Sequence, residues 1–149
     1  MGVTGPSLPV AALAVLFAFA PALQAGKSAD ALATVNYIAS ALSDDNPTDA
    51  MTPFDKSYGD YDKLASYFQG LVDRALITSE VQVVDEKDSE NAIDLVVQWT
   101  MDLSNRNMTG LTEDRTEELH LHLIKTKAKW KIAGLSPLSF FDPQRSQSK

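Results

Sequence analysis

Glu118, His120 and His122 are the residues in this chain best suited to chemistry. They stand at i, i+2 and i+4 within Glu117–Lys125, E-E-L-H-L-H-L-I-K, which alternates polar and apolar. That period places all three on one face of a strand. Two imidazoles and a carboxylate are donor types that a divalent metal takes. The geometry of a strand opposes a three-ligand site. Alternate residues lie about 6.5–7 Å apart, so the three span about 13 Å, too far for one ion. His120 and His122 remain metal candidates only with help from a neighbouring strand, where Asp94, Gln98 and Asp102 face the same side. The plainer reading is a solvated polar sheet face. Such a face can also serve as a homodimer surface, and histidines on it would make association pH-sensitive.

The segment that must lie beside these residues is Ala92–Leu103, A-I-D-L-V-V-Q-W-T-M-D-L. By parity its other side carries Ile93, Leu95, Val97, Trp99, Met101 and Leu103, matched by Leu119, Leu121 and Leu123 on the following strand. None of these nine side chains titrates. A first strand is expected over Thr78–Asp85 and a fourth over Trp130–Leu135, with a tight turn at Ala128-Lys129. The second and third strands, longer than the usual five or six residues, call for a bulge or bend near the middle. Before the strands, Ala29–Leu42 has Leu32, Val35, Ile38, Ala39 and Leu42 at helical spacing, with Ser28 as candidate cap and Pro47 as the stop. Asp49–Ser57 reads as one helical turn plus a loop. Asp60–Leu76 reads as a strong helix with Tyr61, Leu64, Phe68, Leu71, Val72 and Ala75 in one stripe. Gly70 lies within it at a cost of about 1 kcal/mol relative to alanine, which points to a close packing contact. Helices followed by an antiparallel meander define an α+β domain with helices on one sheet face.

Composition bounds the rest. The chain has 149 residues, one domain's worth, and no cysteine, so it has no disulfide or thiolate metal site. Its 13 Lys+Arg against 20 Asp+Glu leave a net charge of −7, which argues against a nucleic-acid partner. Met1–Gln24 contains no charged side chain, and Val10–Ala20 is an unbroken apolar run followed by Pro21 and Ala25. This is the layout of a secretory signal peptide cleaved after Ala25, and the run is short of the roughly 20 residues a membrane span needs. The expected organisation is a signal peptide over 1–25, one domain over 26–143 and a frayed tail over 144–149. The mature chain is expected to be secreted or periplasmic, with no stable membrane span after cleavage. An uncleaved anchor is the alternative. Asn107-Met108-Thr109 fits the glycosylation acceptor pattern, which has meaning only in the right secretory pathway. No phosphate-cradling glycine loop, nucleophile elbow, Walker-type motif or basic patch occurs, and no cofactor is expected.

Tyr61–Leu76, the Ile93–Leu103 strand, and Lys129–Leu135 with Phe140-Phe141-Asp142-Pro143 resemble the nuclear transport factor 2-like, cystatin-like superfamily of ketosteroid isomerase type. The resemblance runs from Ala29 to about Pro143. It implies a cone-like half-barrel, a curved sheet of about four strands with a pocket between sheet and helices. Its members include isomerases, dehydratases, transport adaptors and exported proteins of unknown role. Pocket candidates on this reading are Tyr37, Tyr67, Trp99, Met101, Leu121 and Glu117, with Asp85 and Lys125 as further titratable groups at strand ends. No catalytic position of the isomerases or dehydratases matches residue by residue, and none is carried over. The expected function is a non-enzymatic module that binds a small apolar ligand or a protein partner. The alternative is an isomerase- or dehydratase-type enzyme acting on a hydrophobic substrate in the sheet–helix pocket.

Overall fold

The computed structural model describes residues 29–107, 112–127 and 129–145. The expected signal segment, the Ser28 cap, Ala128 and most of the Asn107-Met108-Thr109 pattern lie outside them. Among the described residues three helices come first: α1 (29–43), α2 (Pro47–Met51) and α3 (Tyr61–Arg74). Four strands follow, β1 (Ala75–Asp88), β2 (Ala92–Asn105), β3 (Thr112–Thr126) and β4 (Lys129–Ser136), and a 3-10 turn, Leu138–Phe141, comes last. The sheet is an antiparallel meander in the order β1-β2-β3-β4. This is the α+β arrangement expected from the pattern of the chain.

The helices begin and end for local reasons. Asp45 takes φ 61° after α1, a left-handed turn that aspartate tolerates. Asn46 then caps α2: its Oδ1 accepts from Asp49 N–H at 3.1 Å. Pro47, expected to stop the first helix, stands at the first position of the second, where its missing N–H costs nothing. Val35, Ile38 and Leu42 of α1 are fully buried. Gly70 of α3 meets the expectation of a close contact, since a Cβ there would lie 2.6 Å from Pro143 Cγ.

The boundary between α3 and β1 falls earlier than the helical stripe suggests. The helix ends at Arg74, and Ala75 is already extended at φ −143°, ψ 153°. Ala75 is buried both as the last apolar residue of the helical stripe and as the first inward residue of the strand, with Ile77 next. The two periodicities overlap there, so Leu76, read as helical, is a strand residue pointing outward and about half exposed.

The nine inward positions of β2 and β3 are all buried, as parity requires. The bulge expected near the middle of the second and third strands falls instead on their neighbours, and the β2–β3 register runs unbroken from Ala92↔Ile124 to Ser104↔Thr112. On β1 the register skips Val84, between Val83↔Val97 and Asp85↔Val96. On β4 it skips Ala133, between Gly134↔His122 and Ile132↔Leu123. Each extra residue bends its strand and increases the local twist. The free edge of β4 is covered at Ile132, which donates to Pro53 O and accepts from Asp55 N–H, both at 2.8 Å.

The space between sheet and helices is filled by rings. Phe141 packs edge-on to Phe140 at 5.0 Å, to Phe68 at 5.1 Å and to Trp99 at 5.2 Å between centroids. Phe140 and Phe141 are fully buried, so the segment after β4 supplies the centre of the core. Trp99 Nε1 is buried there with no hydrogen-bond partner among the described residues.

Candidate functional site

Two regions outside the core bring reactive side chains together. The first is the outer sheet face, where cross-strand register assembles rows. Glu118 stands opposite Gln98, His120 opposite Val96 and Ser136, and His122 opposite Asp94 and Gly134. His122 Nδ1 lies 2.6 Å from Asp94 Oδ1, and both side chains are about half exposed. Of the neighbouring-strand carboxylates, Asp94 thus meets His122 in an exposed contact, while His120 has Val96 and Ser136 opposite it. Among the described residues no three metal-ligating side chains converge.

At the other end of the same face, Asp102 stands opposite Asp114. A hydrogen bond to Asp114 first, and the charge of Asp114 second, raise the Asp102 carboxyl above its usual 3.8, with a smaller push from Glu80. The folded protein thus holds a proton at this pair more tightly than the unfolded chain does. That contribution is stabilising at low pH and is lost as pH rises from about 3.8 through the raised value. At neutral pH the two carboxylates repel across the strands. Asp102→Asn is expected to raise the melting temperature at pH 7 and to leave it unchanged at pH 3, read by calorimetry at both values. An equal shift at both would show that repulsion is not the cause.

The second region is the end of the sheet where β1 and β3 begin and β2 ends. Arg115 occupies the inward row of β3 and is 4% exposed, the one buried charged residue among those described. Its Nε donates to Glu113 Oε2 at 2.7 Å and its Nη1 to Phe140 O at 2.7 Å. Arg74 Nη1 donates to Pro143 O, and Arg145 Nη1 to Glu117 Oε1 at 2.9 Å. Three arginines thus hold the segment that carries Phe140 and Phe141. The packed structure reaches Arg145, two residues into the stretch expected as a frayed tail. Beside Arg115 lies a cavity of about 120 Å³ with Leu71, Ala75, Leu103 and Pro143 as apolar walls and Arg74, Glu113 and Arg115 as its charged groups.

The pocket candidates named from the sequence do not line one cavity. Trp99, Met101 and Leu121 are core residues. Tyr37 is 45% exposed, because Ile38 next to it faces the core and a helix turns about 100° per residue. It borders an outer groove with Trp130, Lys129 and Lys131. Tyr67 is half-buried, with Lys63 Nζ 5.8 Å from its ring centre. Glu117 is the inward neighbour of Arg115 and is held by Arg145. Asp85 is exposed beside the β1 bulge. Lys125 lies over Trp130, 5.7 Å from the ring centre. Arg115 itself was legible: the parity that assigns Leu119, Leu121 and Leu123 inward continues back through Glu117 to Arg115.

A curved antiparallel meander with amino-terminal helices on its concave side defines a nuclear transport factor 2-like half-barrel. The chain has this fold. Solved structures bear it out: a conserved protein from Planctomyces limnophilus superposes with a TM-score of 0.65 at 8% identity, over 72% of this chain and 91% of that one. A protein of unknown function from Mycobacterium tuberculosis gives 0.60 at 11%, over 75% and 70%. A nuclear transport factor 2-like protein of unknown function from Shewanella oneidensis gives 0.57 at 12%, over 73% and 96%. No protein-family model matches the chain, and no curated protein matches it.

Proposed function

We propose that the chain is an exported, non-enzymatic interaction module that pairs with a second copy of itself through the outer face of its sheet. The observation behind this reading is the division between the two faces. The inner face is closed by the chain's own rings, while the outward residues of β1, β2 and β3 are largely exposed. By strand rise and spacing that face covers roughly 700–800 Å², close to the ~800 Å² each partner contributes to a standard interface. Its charge is uneven: Glu80, Asp102 and Asp114 cluster toward one end, while Lys87, His120 and His122 stand toward the other beside Asp85 and Asp94. An antiparallel pairing keeps the two acidic ends apart and sets each against the mixed end of the other copy. Thr100 and Thr116, whose hydroxyls are 3.3 Å apart, mark the part of the face nearest its middle.

Export rests on the charge-free Met1–Gln24 segment, with the mature chain beginning at Gly26. No described helix is long and apolar enough to cross a membrane. A small apolar ligand between sheet and helices would have to displace Phe140 and Phe141. The enzymatic alternative would need a free acid or base turned into that space; Asp85 is exposed on β1, and Glu117, on the inward row, is bound to Arg145. Sedimentation of the mature chain is expected to show a dimer at micromolar concentration. Thr116→Arg, which sets a bulky charge on the face, is expected to leave a folded monomer. A wild-type monomer at micromolar concentration would rule the reading out.

A further inference from the structure

We propose that the cavity at the arginine end of the sheet is a binding site for a small carboxylate with an apolar body. The chain has four arginines, Arg74, Arg106, Arg115 and Arg145, and all of them gather at this end. Arg106 N–H donates to Arg74 O at 3.0 Å and its Nε to Val72 O at 2.9 Å. Lys125, Lys127, Lys129 and Lys131 lie at the opposite end, around the β3–β4 turn. Arginine is the cation whose planar fork matches a carboxylate, and lysine is not its equivalent there.

Arg115 carries the proposal. Its side chain is 3% exposed, yet only Nε and Nη1 have partners among the described residues, which leaves Nη2 unbonded. Holding a charge at this depth is costly, and an apolar side chain would close the row more cheaply if packing were all the position required. Two guanidinium groups face one carboxylate in the cavity lining, so it has a positive surplus within a chain of net charge −7. Arg74, at the exposed mouth, uses one nitrogen on Pro143 O and has others to offer. Leu71, Leu103 and Pro143 supply apolar wall. A water occupies about 10–15 Å³ on this measure of space, so about 120 Å³ admits several heavy atoms. A four-carbon carboxylate fits that volume, with its head on the arginines and its chain on the wall. Low dielectric strengthens such a pairing relative to water. The site is separate from the outer sheet face and stands or falls independently of self-association.

The test is an NMR titration of the protein with butyrate, butyramide and sodium chloride at matched ionic strength. Butyrate is expected to shift the amides of Leu103, Glu113 and Arg115 saturably, while butyramide and chloride leave them in place. Glu113→Gln removes the competing charge and keeps an acceptor for Nε, so it is expected to tighten butyrate binding about fivefold. Arg74→Gln, at an exposed position, is expected to weaken it about fivefold. An equal response to butyramide or chloride would overturn the proposal, as would no saturable response to butyrate. So would unchanged or weaker binding in Glu113→Gln, since that result would make Arg115 a structural partner of Glu113 alone.

Discussion

Replacing Phe141 with alanine is expected to lower the unfolding free energy by about 3–5 kcal/mol. The ring is fully buried and meets Phe68, Trp99 and Phe140 edge-on within 5.2 Å. Such edge-on pairs contribute about 0.5–1.5 kcal/mol beyond the area they bury. The cavity left behind cannot collapse easily. Its walls belong to α3, β2 and the 3-10 turn, and that turn is held by Arg115 and by the close approach of Pro143 to Gly70. A domain of this size has a total stability of about 5–15 kcal/mol, so the variant should sit near its unfolding midpoint in mild urea. Urea titration at unchanged m-value checks the magnitude. A loss under about 1 kcal/mol would mean that the segment after β4 is a cover over a core complete without it. In that case the sheet–helix space would be available to a ligand.

Replacing Arg115 with methionine is expected to cost about 3 kcal/mol, the low end of the range for breaking a buried ion pair. The low end applies because Glu113 keeps 23% of its side-chain surface in water and recovers part of its hydration. The change leaves Phe140 O without its donor in a buried place, and an unmade bond there costs about 1–3 kcal/mol. The double variant Arg115→Met, Glu113→Leu removes the stranded carboxylate and is expected to regain most of the loss. Urea unfolding of the two variants side by side decides the matter. If the double variant is no more stable than the single one, the Phe140 carbonyl, and not the ion pair, dominates.

These expectations rest on residues that differ in how far their neighbours in sequence reveal them. Trp99, Met101 and Leu121 are buried because strand parity leaves them no other side, and parity is local. Arg115 obeys the same parity, but its charge hides it: a pattern read by hydropathy stops at Leu119. Phe140 and Phe141 stand in a short segment with no period of its own, after Pro137. Their apolarity says they are buried, and only the return of the chain across the sheet says where. Tyr37 and Tyr67 show the opposite case. A helix position gives their angle from the core, while whether a wall stands near them depends on other elements.

The cross-strand partners belong wholly to the tertiary level. Asp94 and His122 are 28 residues apart, and Asp102 and Asp114 face each other only through the β2–β3 register. A shift of one residue would exchange the sheet faces and dissolve both pairs.

By itself, then, the amino-acid sequence determined the class of fold, the inward and outward faces of β2 and β3, and the close contact at Gly70, because periodicity and backbone preference act over a few residues. Only the tertiary structure decided that rings from the chain's end fill the cone, that four arginines meet at one end of the sheet, and which carboxylate faces which histidine. Those outcomes depend on loop closure, register and packing between segments far apart in sequence, which no local pattern encodes.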